Sequence, residues 1–241
     1  MAQSLVIIPT YNEKENIADL VKAIIELKLA LDILIVDDAS PDGTGAIADE
    51  LSRTYNNVSV AHRSGKLGLG TAYIEGFNFG LRRGYRHIMT MDSDFSHHPK
   101  YIPVFLALKN DFDIIIGSRY IPGGKAVNWS FIRRLVSFTA NFFAKVMLGL
   151  TNNDCTAGFR LYRSTILDDR SILQGFHSNG YSFLMEILYK CKQKGARIKE
   201  IPITFVDRRV GVSKISRIEV FNALRTLVKF SIERNCKPWL R

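Results

Sequence analysis

The stretch Leu5-Val6-Ile7-Ile8-Pro9-Thr10-Tyr11-Asn12-Glu13 decides the fold class of this chain. Its four β-favouring apolar residues, ended by a proline, predict a short buried strand. Apolar residues then recur at helical spacing, at Ile17, Leu20, Val21, Ile24 and Leu27. Asn12, with Glu15 three residues later, fits a helix N-cap and its acidic partner, so we expect the helix to begin near Glu13. The unit is strand, loop and helix.

The same unit repeats along the chain. Ile33-Leu34-Ile35-Val36 predicts a second strand, and the turn-rich residues after it lead into another helical pattern. Further strands are expected at 58–62, 87–91 and 113–117, with helices near 69–83 and 101–108. This alternation predicts an α/β fold with a doubly wound, mostly parallel sheet, because right-handed crossovers connect such strands. Helical C-terminal additions follow, with helices expected at 131–148 and 181–194 and an amphipathic helix at about 216–233. Between them we expect an extended segment at 155–162 and a strand at 198–206.

Length and composition favour one domain over residues 1–241. The chain is 46% hydrophobic and has no Pro/Gly/Ser-rich linker. Its three cysteines, Cys155, Cys191 and Cys236, are far apart and form no C-x-x-C pair, which is typical of a reducing cytosol. The first residues lack a secretory signal, and the longest apolar run, 138–150, is interrupted by Asn141 and Lys145. We therefore expect no transmembrane anchor.

The net charge is strongly positive, with 33 Lys and Arg against 23 Asp and Glu, or +10. Such a chain attracts polyanions, which include nucleic acid, anionic lipid and phosphorylated substrates. A nucleic-acid-binding protein is the remote alternative. It is disfavoured because no helix carries a basic stripe with stacking aromatics, and because acidic loops would repel a phosphate backbone.

Those acidic loops follow three of the predicted strands. They read Pro9-Thr10-Tyr11-Asn12-Glu13, Asp37-Asp38 and Asp92-Ser93-Asp94. In an open parallel sheet, ligands bind beyond the carboxyl ends of the strands, so these loops mark the candidate site. Asp111-Phe112-Asp113 has the same D-x-D spelling but precedes its strand, which places it at the opposite edge of the sheet.

Asp92 and Asp94 suit a hard divalent cation that shares oxygens with a bound diphosphate. The alternative is that both residues form turns or caps ahead of Pro99. For His97-His98 a satisfied loop pair is favoured over joint metal ligation, because adjacent side chains point in different directions. Gly68-Leu69-Gly70 lacks a full phosphate-loop motif and indicates close packing.

Together these segments resemble the dolichyl-phosphate mannose synthases of the inverting GT-A glycosyltransferases. The similarity runs in order along nearly the whole chain and is that of a short type without C-terminal transmembrane helices. The motifs that carry it, besides the three acidic loops, are the V-D-D-A-S-P-D-G-T run from Val36, His97-His98-Pro99, Gly117-Ser118-Arg119-Tyr120, D-C-T-A-G-F-R from Asp154 to Arg160, and Arg208 with Gly211-Val212-Ser213-Lys214.

The resemblance implies mannose transfer from GDP-mannose to dolichyl or polyprenyl phosphate, assisted by Mg²⁺ or Mn²⁺. It implies a cytoplasmic protein, peripheral at the cytosolic face of a membrane, with a small membrane-spanning partner subunit as a further expectation. Residues 207–214 would form a mobile acceptor loop. The implied nucleoside contacts are Pro9, Tyr11, Glu13, Val36 and Asp38; the diphosphate and metal contacts are Asp92, Ser93 and Asp94; the phosphate contacts are Arg119, Arg133, Arg208 and Lys214, with Asp94, Arg119, Arg208 and Lys214 catalytic.

Two departures and one alternative stay open. Ser96 stands where some relatives carry a metal-contacting Gln, and Arg209 offers a second candidate beside Arg208. The acidic loops do not reveal the donor's base, so the same chemistry with another donor such as UDP-glucose is the alternative. An ionised acceptor phosphate needs no general base, which agrees with the lack of a visible catalytic triad.

Overall fold

The computed structural model describes residues 2–176, 180 and 182–207. Strands and helices alternate through its first half, as the sequence predicts. The strands are β1 (Ser4–Thr10), β2 (Leu31–Asp37), β3 (Val58–His62), β4 (His87–Thr90), β5 (Ile114–Ser118), β6 (Lys125–Val127), β7 (Arg160–Arg163), β8 (Ile198–Pro202) and β9 (Thr204–Val206). The helices are α1 (Ile17–Ile25), α2 (Thr44–Thr54), α3 (Leu69–Arg82), α4 (Ile102–Leu108), α5 (Phe131–Leu148), α6 (Ser164–Leu167), α7 (Arg170–Leu173) and α8 (Phe183–Gln193).

Seven strands form one sheet in the order β3-β2-β1-β4-β7-β5-β8. All pair in parallel except β7, which runs antiparallel between β4 and β5. A second, two-stranded sheet joins β6 to β9. The prediction of an α/β fold with a mostly parallel sheet is confirmed. The expected extended segment at 155–162 contains the start of the inserted strand β7.

Helices cover both faces of the sheet because the strands are apolar on both sides. One core lies between the sheet and α1, α2 and α4, and it includes Ile17 and Phe105. The other lies under α3, α5 and α8, with Phe77 and Phe183 among its buried side chains. Gly70 of α3 packs against Phe183, and a Cβ there would lie 2.8 Å from that ring, so the prediction of close packing at this glycine is confirmed.

The predicted N-cap of the first helix is wrong. Asn12 has a φ of 55° and stands outside the helix, which begins at Ile17 after Asn16. The backbone N–H of Asn12 donates to Ser40 Oγ at 3.0 Å, and that of Glu13 donates to Thr44 Oγ1 at 2.9 Å. These contacts with the loop after β2 hold residues 12 and 13 as a connection rather than as helix.

The described chain ends at Asp207, directly after β9. The predicted helix at about 216–233 and most of the predicted loop 207–214 therefore lie outside the described residues. Among the residues that are described, no helix is long and apolar enough to cross a membrane. Helix α5 has the predicted bounds and ends at Leu148, and Gly149 caps it in the left-handed conformation with a φ of 65°.

Candidate functional site

The loops after β1, β2 and β4 meet at one edge of the sheet because these strands are neighbours and run in parallel. Thr10 pairs with Asp37 in the register of β1 and β2. The backbone N–H of Asp38 donates to Thr10 O at 3.0 Å, and that of Met91 donates to Ile7 O at 3.1 Å. The three acidic segments are thus brought together, as the sequence predicts.

Asp38 is buried and paired with a cation that directly follows the neighbouring strand β3. Arg63 Nη1 lies 2.7 Å from Asp38 Oδ1, and the N–H groups of Leu67 and Gly68 point at Oδ2 from 3.2 and 3.4 Å. Burial raises the pKa of Asp38, although Arg63 and the two amides oppose that rise. The carboxylate therefore fixes the loop after β3 against the edge of the sheet.

The other predicted nucleoside residues line the same end of β1 and β2. Pro9 stands beside Val36 in the register, and the Val36 side chain is wholly buried in the core. Glu13 Oε2 accepts from Asn16 Nδ2 at 2.9 Å. Lys66 Nζ lies 4.5 Å from the centre of the Tyr11 ring, which leaves an aromatic ring and a cation side by side.

Asp92, Ser93 and Asp94 follow β4 directly. Asp92 is partly exposed, and its Oδ1 accepts from the Tyr73 hydroxyl at 3.3 Å. Asp94 is buried, and its Oδ1 accepts from the backbone N–H of Ser96 at 3.1 Å. Asp111 precedes β5 and so lies at the opposite edge, as the sequence predicts. Position in the fold separates the two D-x-D segments.

Three observations bear on whether this loop suits a divalent cation. The buried Ser96 hydroxyl has no hydrogen-bond partner among the described residues. A Cβ at Gly158 would lie 3.1 Å from Asp92 Oδ1, so the glycine leaves room beside the carboxylate. In the part of the chain that is described, no group of three or more His, Cys, Asp or Glu side chains could hold a metal alone. The residues fit a cation that takes its remaining ligands from a diphosphate and water.

His97 and His98 diverge, as predicted. His97 is buried, stacks on Phe159 at 5.1 Å and accepts from the Asp92 N–H through Nδ1 at 3.1 Å. Burial lowers the pKa of His97 against the opposing effect of Asp92, so its ring is neutral near pH 7. His98 is exposed and caps the short 3₁₀ turn by accepting from the Lys100 N–H. Neither arrangement is joint ligation of a metal by the pair.

Arg119 and Asp154 form a buried clamp beside this loop. Arg119 Nε and Nη2 each donate to one Asp154 oxygen at 2.7 Å, and the Arg119 backbone N–H donates to Oδ2 at 3.0 Å. Nη2 also donates to Thr156 Oγ1. Burial acts to lower the pKa of Arg119, but the facing carboxylate outweighs it and raises that pKa. The pKa of Asp154 is lowered, because Arg119 outweighs the effect of burial.

The clamp changes what the predicted phosphate contact of Arg119 can be. Asp154 and Thr156 occupy Nε and Nη2, and only Nη1 makes no hydrogen bond to the described residues. A two-pronged contact of a phosphate with Nη1 and Nη2 would have to displace Thr156 Oγ1 from Nη2, while Asp154 could keep its own two hydrogen bonds. A phosphate contact of Arg119 stays a prediction.

Aromatic rings connect the clamp to α5. Phe205 lies 5.3 Å from His97 and 5.3 Å from Trp129, measured between ring centres. The Arg133 guanidinium stacks over Trp129 at 4.5 Å, and its Nη1 lies 2.6 Å from Asp207 Oδ2. Arg133 therefore lies at the end of a continuous row of contacts that begins at the D-x-D loop.

Arg208, Arg209 and Lys214 lie outside the described residues, so their predicted roles stay predictions. The sequence reasoning missed Arg63, although it follows β3 at the ligand edge and the same positional rule would have found it. The sequence also assigned no role to Asp154, because its partner Arg119 is 35 positions away and leaves no local signal. Burial raises the pKa of Cys155 to about 12, so this thiol stays protonated and is not a nucleophile at neutral pH.

Comparison with known proteins agrees with this geometry. Residues 5–171 match the family described as Glycosyl transferase family 2. The chain is 43% identical to a polyprenol monophosphomannose synthase of Mycolicibacterium smegmatis, over 95% of this chain and 87% of that protein. It is 45% identical to an undecaprenyl-phosphate mannosyltransferase of Micrococcus luteus, over 88% of this chain and 87% of that protein.

A solved structure shows the same fold at low sequence identity. The mannosyl-3-phosphoglycerate synthase of Rubrobacter xylanophilus superposes on this chain with a TM-score of 0.65 and is 15% identical to it. The match covers 96% of this chain and 74% of that one. This likeness concerns the arrangement of the sheet and its helices.

Proposed function

The chain belongs to glycosyl transferase family 2, and from this premise we propose that it transfers mannose from GDP-mannose to dolichyl or another polyprenyl phosphate with inversion at the anomeric carbon. The observation that carries the proposal is the acidic edge at Asp92 and Asp94, next to the buried Arg119–Asp154 clamp. The two relatives named for mannosyl transfer to polyprenol or undecaprenyl phosphate support this acceptor class.

The reaction is a single displacement in which atoms and charge balance. An acceptor phosphate oxygen forms a bond to the anomeric carbon, while the bond from that carbon to the donor diphosphate breaks and its electron pair leaves with GDP. The second pKa of a phosphomonoester is about 6, so the attacking oxygen is already ionised near neutral pH. The protein therefore needs to position two anions rather than to remove a proton.

Asp92 and Asp94 are proposed to hold Mg²⁺ or Mn²⁺ against the diphosphate, with Ser93 beside it. The bound cation would supply charge neutralisation for the leaving diphosphate. Tyr73 and His97 hold Asp92 in place through its side chain and its N–H. The neutral His97 ring adds no charge to the site.

The nucleoside is proposed to lie across the ends of β1 and β2. Pro9, Tyr11, Glu13, Val36 and Asp38 would contact it, with Val36 acting through its backbone. The Arg63–Asp38 pair fixes the loop that carries Lys66, and Lys66 lies over the Tyr11 ring. These contacts would hold one side of the nucleotide site in a fixed position.

Arginine and lysine side chains are proposed to bind the phosphates. Arg133, in the first turn of α5, suits the acceptor phosphate because a guanidinium group binds phosphate in a planar fork. Arg208 and Lys214 would contact donor and acceptor from the segment after Asp207. Arg119 would present its Nη1 edge, while Asp154 holds the rest of its guanidinium.

A lipid acceptor requires contact with a membrane. We propose that the enzyme works as a peripheral protein at the cytosolic face, and that a small membrane-spanning partner subunit assists it.

The test is transfer of radiolabelled sugar to polyprenyl phosphate from several nucleotide sugars, with and without Mg²⁺ or Mn²⁺. We expect mannosyl lipid from GDP-mannose and the loss of product when the metal is chelated. A product formed from UDP-glucose instead would replace the donor assignment. Transfer only to a non-lipid acceptor would overturn the proposed acceptor.

A further inference from the structure

A polar side chain lies on the side of α5 that packs against the protein. Asn141 is 4% exposed, and the other buried residues of this helix are Ala144 and Leu148. Asparagine is a weak helix former, and a buried amide destabilises a protein unless it is hydrogen-bonded. The position of Asn141 is therefore explained by what its amide holds.

The amide of Asn141 holds the beginning of the D-C-T-A-G-F-R motif. Its Oδ1 accepts from the Cys155 backbone N–H at 2.7 Å. Because a backbone N–H can only donate, this contact fixes which end of the amide is the oxygen. The Nδ2 group then donates to Ser137 O at 2.9 Å and to Thr156 Oγ1 at 3.2 Å. Asn141 thus links α5 directly to the Thr156 hydroxyl.

The Thr156 hydroxyl uses all of its hydrogen-bonding capacity in this place, since a hydroxyl accepts twice and donates once. Its Oγ1 accepts from Asn141 Nδ2 and from Arg119 Nη2, the latter at 2.7 Å. Its own proton is directed at Asp154 Oδ1, 3.2 Å away. The amide and the carboxylate together therefore fix the direction of this hydroxyl.

The Arg119 guanidinium is held at three points as a result. Asp154 takes Nε and one N–H of Nη2, and Thr156 takes a further N–H of Nη2. Nη1 makes no hydrogen bond to the described residues. The direction of this Nη1 edge, which is the edge proposed to face phosphate, therefore depends on the Thr156 hydroxyl as well as on the carboxylate.

We propose that Asn141 and Thr156 are positioning residues that aim Arg119 at a substrate phosphate. Asn141 orients the Thr156 hydroxyl, and the hydroxyl orients the guanidinium. The inference rests on the proposed function, in which Arg119 presents Nη1 to a phosphate. Both residues act through Arg119, and neither is assigned a contact with substrate.

Other contacts hold the backbone of this segment, so the role of Asn141 is separable from folding. The N–H groups of residues 153 and 154 donate to the Glu200 carboxylate at 2.8 and 2.9 Å. Arg160 Nη2 donates to Cys155 O at 2.7 Å. A variant that loses only the Nδ2 donor of Asn141 should therefore keep the segment in place.

The test uses variants that each remove one hydrogen-bonding group. Asn141→Asp keeps an acceptor for the Cys155 N–H but loses the donor to Thr156. Thr156→Val removes the hydroxyl, and Thr156→Ser keeps it. Asn57→Asp is the matched control, because it makes the same change in an amide that donates to Leu31 O at the opposite edge of the sheet.

Initial rates with GDP-mannose and a short-chain polyprenyl phosphate measure the effect. We expect kcat to fall roughly 10- to 100-fold in Asn141→Asp and in Thr156→Val, because a misdirected guanidinium loses its alignment with the reacting groups. The Kd for GDP in calorimetry should change far less, since the proposed nucleoside contacts lie at the ends of β1 and β2. Thr156→Ser should recover most of kcat, and Asn57→Asp should match the wild type.

The double variant Asn141→Asp/Thr156→Val tests whether the two residues act in sequence. If Asn141 acts only through the Thr156 hydroxyl, the double variant should lose no more activity than Thr156→Val alone. Losses that multiply would show that Asn141, or the charge of the new carboxylate, acts independently of Thr156. That result would overturn the proposal.

A measurement without substrate separates this inference from the proposed function. In enzyme labelled with nitrogen-15, the Arg119 side-chain N–H signals are those lost in Arg119→Lys. We expect them to shift in Asn141→Asp and in Thr156→Val and to stay in place in Asn57→Asp. If these shifts occur but the wild type transfers no mannose, the proposed function fails and the positioning of Arg119 stands.

Three further results would overturn the positioning role. Unchanged Arg119 signals in Asn141→Asp and Thr156→Val would show that the guanidinium does not depend on these residues. Unchanged kcat in Thr156→Val would show that the hydroxyl does not direct it during transfer. A joint fall of kcat, GDP affinity and melting temperature in both variants would assign the two residues to folding instead.

Discussion

The Arg119 guanidinium holds the Asp154 carboxylate through two parallel hydrogen bonds of 2.7 Å, in a place where both side chains are buried. Asp154 also receives the Arg119 backbone N–H, so the carboxylate fixes the end of β5 as well as the side chain. A buried pair of this kind is costly to break from one side, because the remaining charge has no water to replace its partner.

We predict that Asp154→Asn lowers the free energy of unfolding by about 3–5 kcal/mol, because it leaves the buried Arg119 cation without its counter-charge. Urea denaturation at neutral pH measures the change. The control is Asp169→Asn, which removes a carboxylate that also lies 2.7 Å from a cation, Lys194 Nζ, but on the surface. The control should unfold like the wild type, since water screens exposed pairs. Equal losses in the two variants would contradict the clamp.

Asp94→Asn should reduce transfer by roughly 10²- to 10³-fold, because one preorganised charge at the leaving group is lost. Asp111→Asn carries the same change in the D-x-D segment at the opposite edge and should leave the rate largely intact. Initial rates at saturating donor and acceptor measure both. If the two variants lost activity equally, position at the sheet edge would not explain the role of Asp94.

The sheet and its ligand edge were predictable because they depend on local patterns. The apolar run from Leu5 to Ile8 and its repeats fix where strands end, and parallel pairing brings those ends together. The same logic separated Asp94 from Asp111 without any contact information. The direction of β7 was not predictable, since the sequence of a strand buried on both faces does not record its orientation in the sheet.

The features that the sequence did not predict depend on contacts between residues far apart in the chain. The sequence around Asn12 fits an N-cap, but the hydrogen bond from the Asn12 backbone N–H to Ser40 Oγ holds this residue outside the helix. The pairing of Arg119 with Asp154 could not be predicted, because Asp154 is 35 positions away in the sequence. Local sequence shows which residue types are present, and the tertiary fold decides which of them are already paired.

Gly158→Ala should reduce the transfer rate by roughly tenfold without a comparable loss of stability. The new Cβ would lie 3.1 Å from Asp92 Oδ1 and 3.5 Å from the Tyr73 hydroxyl, so the partly exposed carboxylate must shift by a few tenths of an ångström. Gly65→Ala is the control, because a Cβ there meets nothing within 4 Å. Rates and melting curves of both variants distinguish a displaced carboxylate from general unfolding.

The stability of the protein should fall as the pH drops below about 6.5, and His87 should account for part of that fall. Burial lowers the pKa of His87 in the folded chain, with Lys109 and Arg163 adding to the effect. In that range the unfolded chain binds a proton that the folded chain does not, so the slope reaches about 1.4 kcal/mol per pH unit for one group.

His87→Gln removes this titration, so its unfolding free energy should depend less on pH below about 6.5 than that of the wild type. Urea denaturation at several pH values measures the slopes. Above about pH 7.5 His87 is neutral in both the folded and the unfolded chain. The unfolding free energies of the two proteins should therefore change with pH in parallel there. A steeper slope in the variant at low pH would reverse the sign of the argument.

Arg133→Ala should lower kcat/KM for the acceptor by roughly tenfold or more while nucleotide affinity stays unchanged, because a charge-assisted contact to phosphate is worth about 1.5–3 kcal/mol. Arg133 lies over Trp129 in the first turn of α5, at the opposite end of the row of contacts from Asp92. Arg134→Ala is the matched control, since it removes an exposed neighbour of equal charge. The assay uses a short-chain acceptor without vesicles, so that membrane contact does not enter the comparison, and calorimetry with GDP measures nucleotide binding.

Arg133→Lys keeps the charge but not the planar fork, and it should recover only part of the lost activity. Loss of GDP affinity in Arg133→Ala would instead place this guanidinium on the donor.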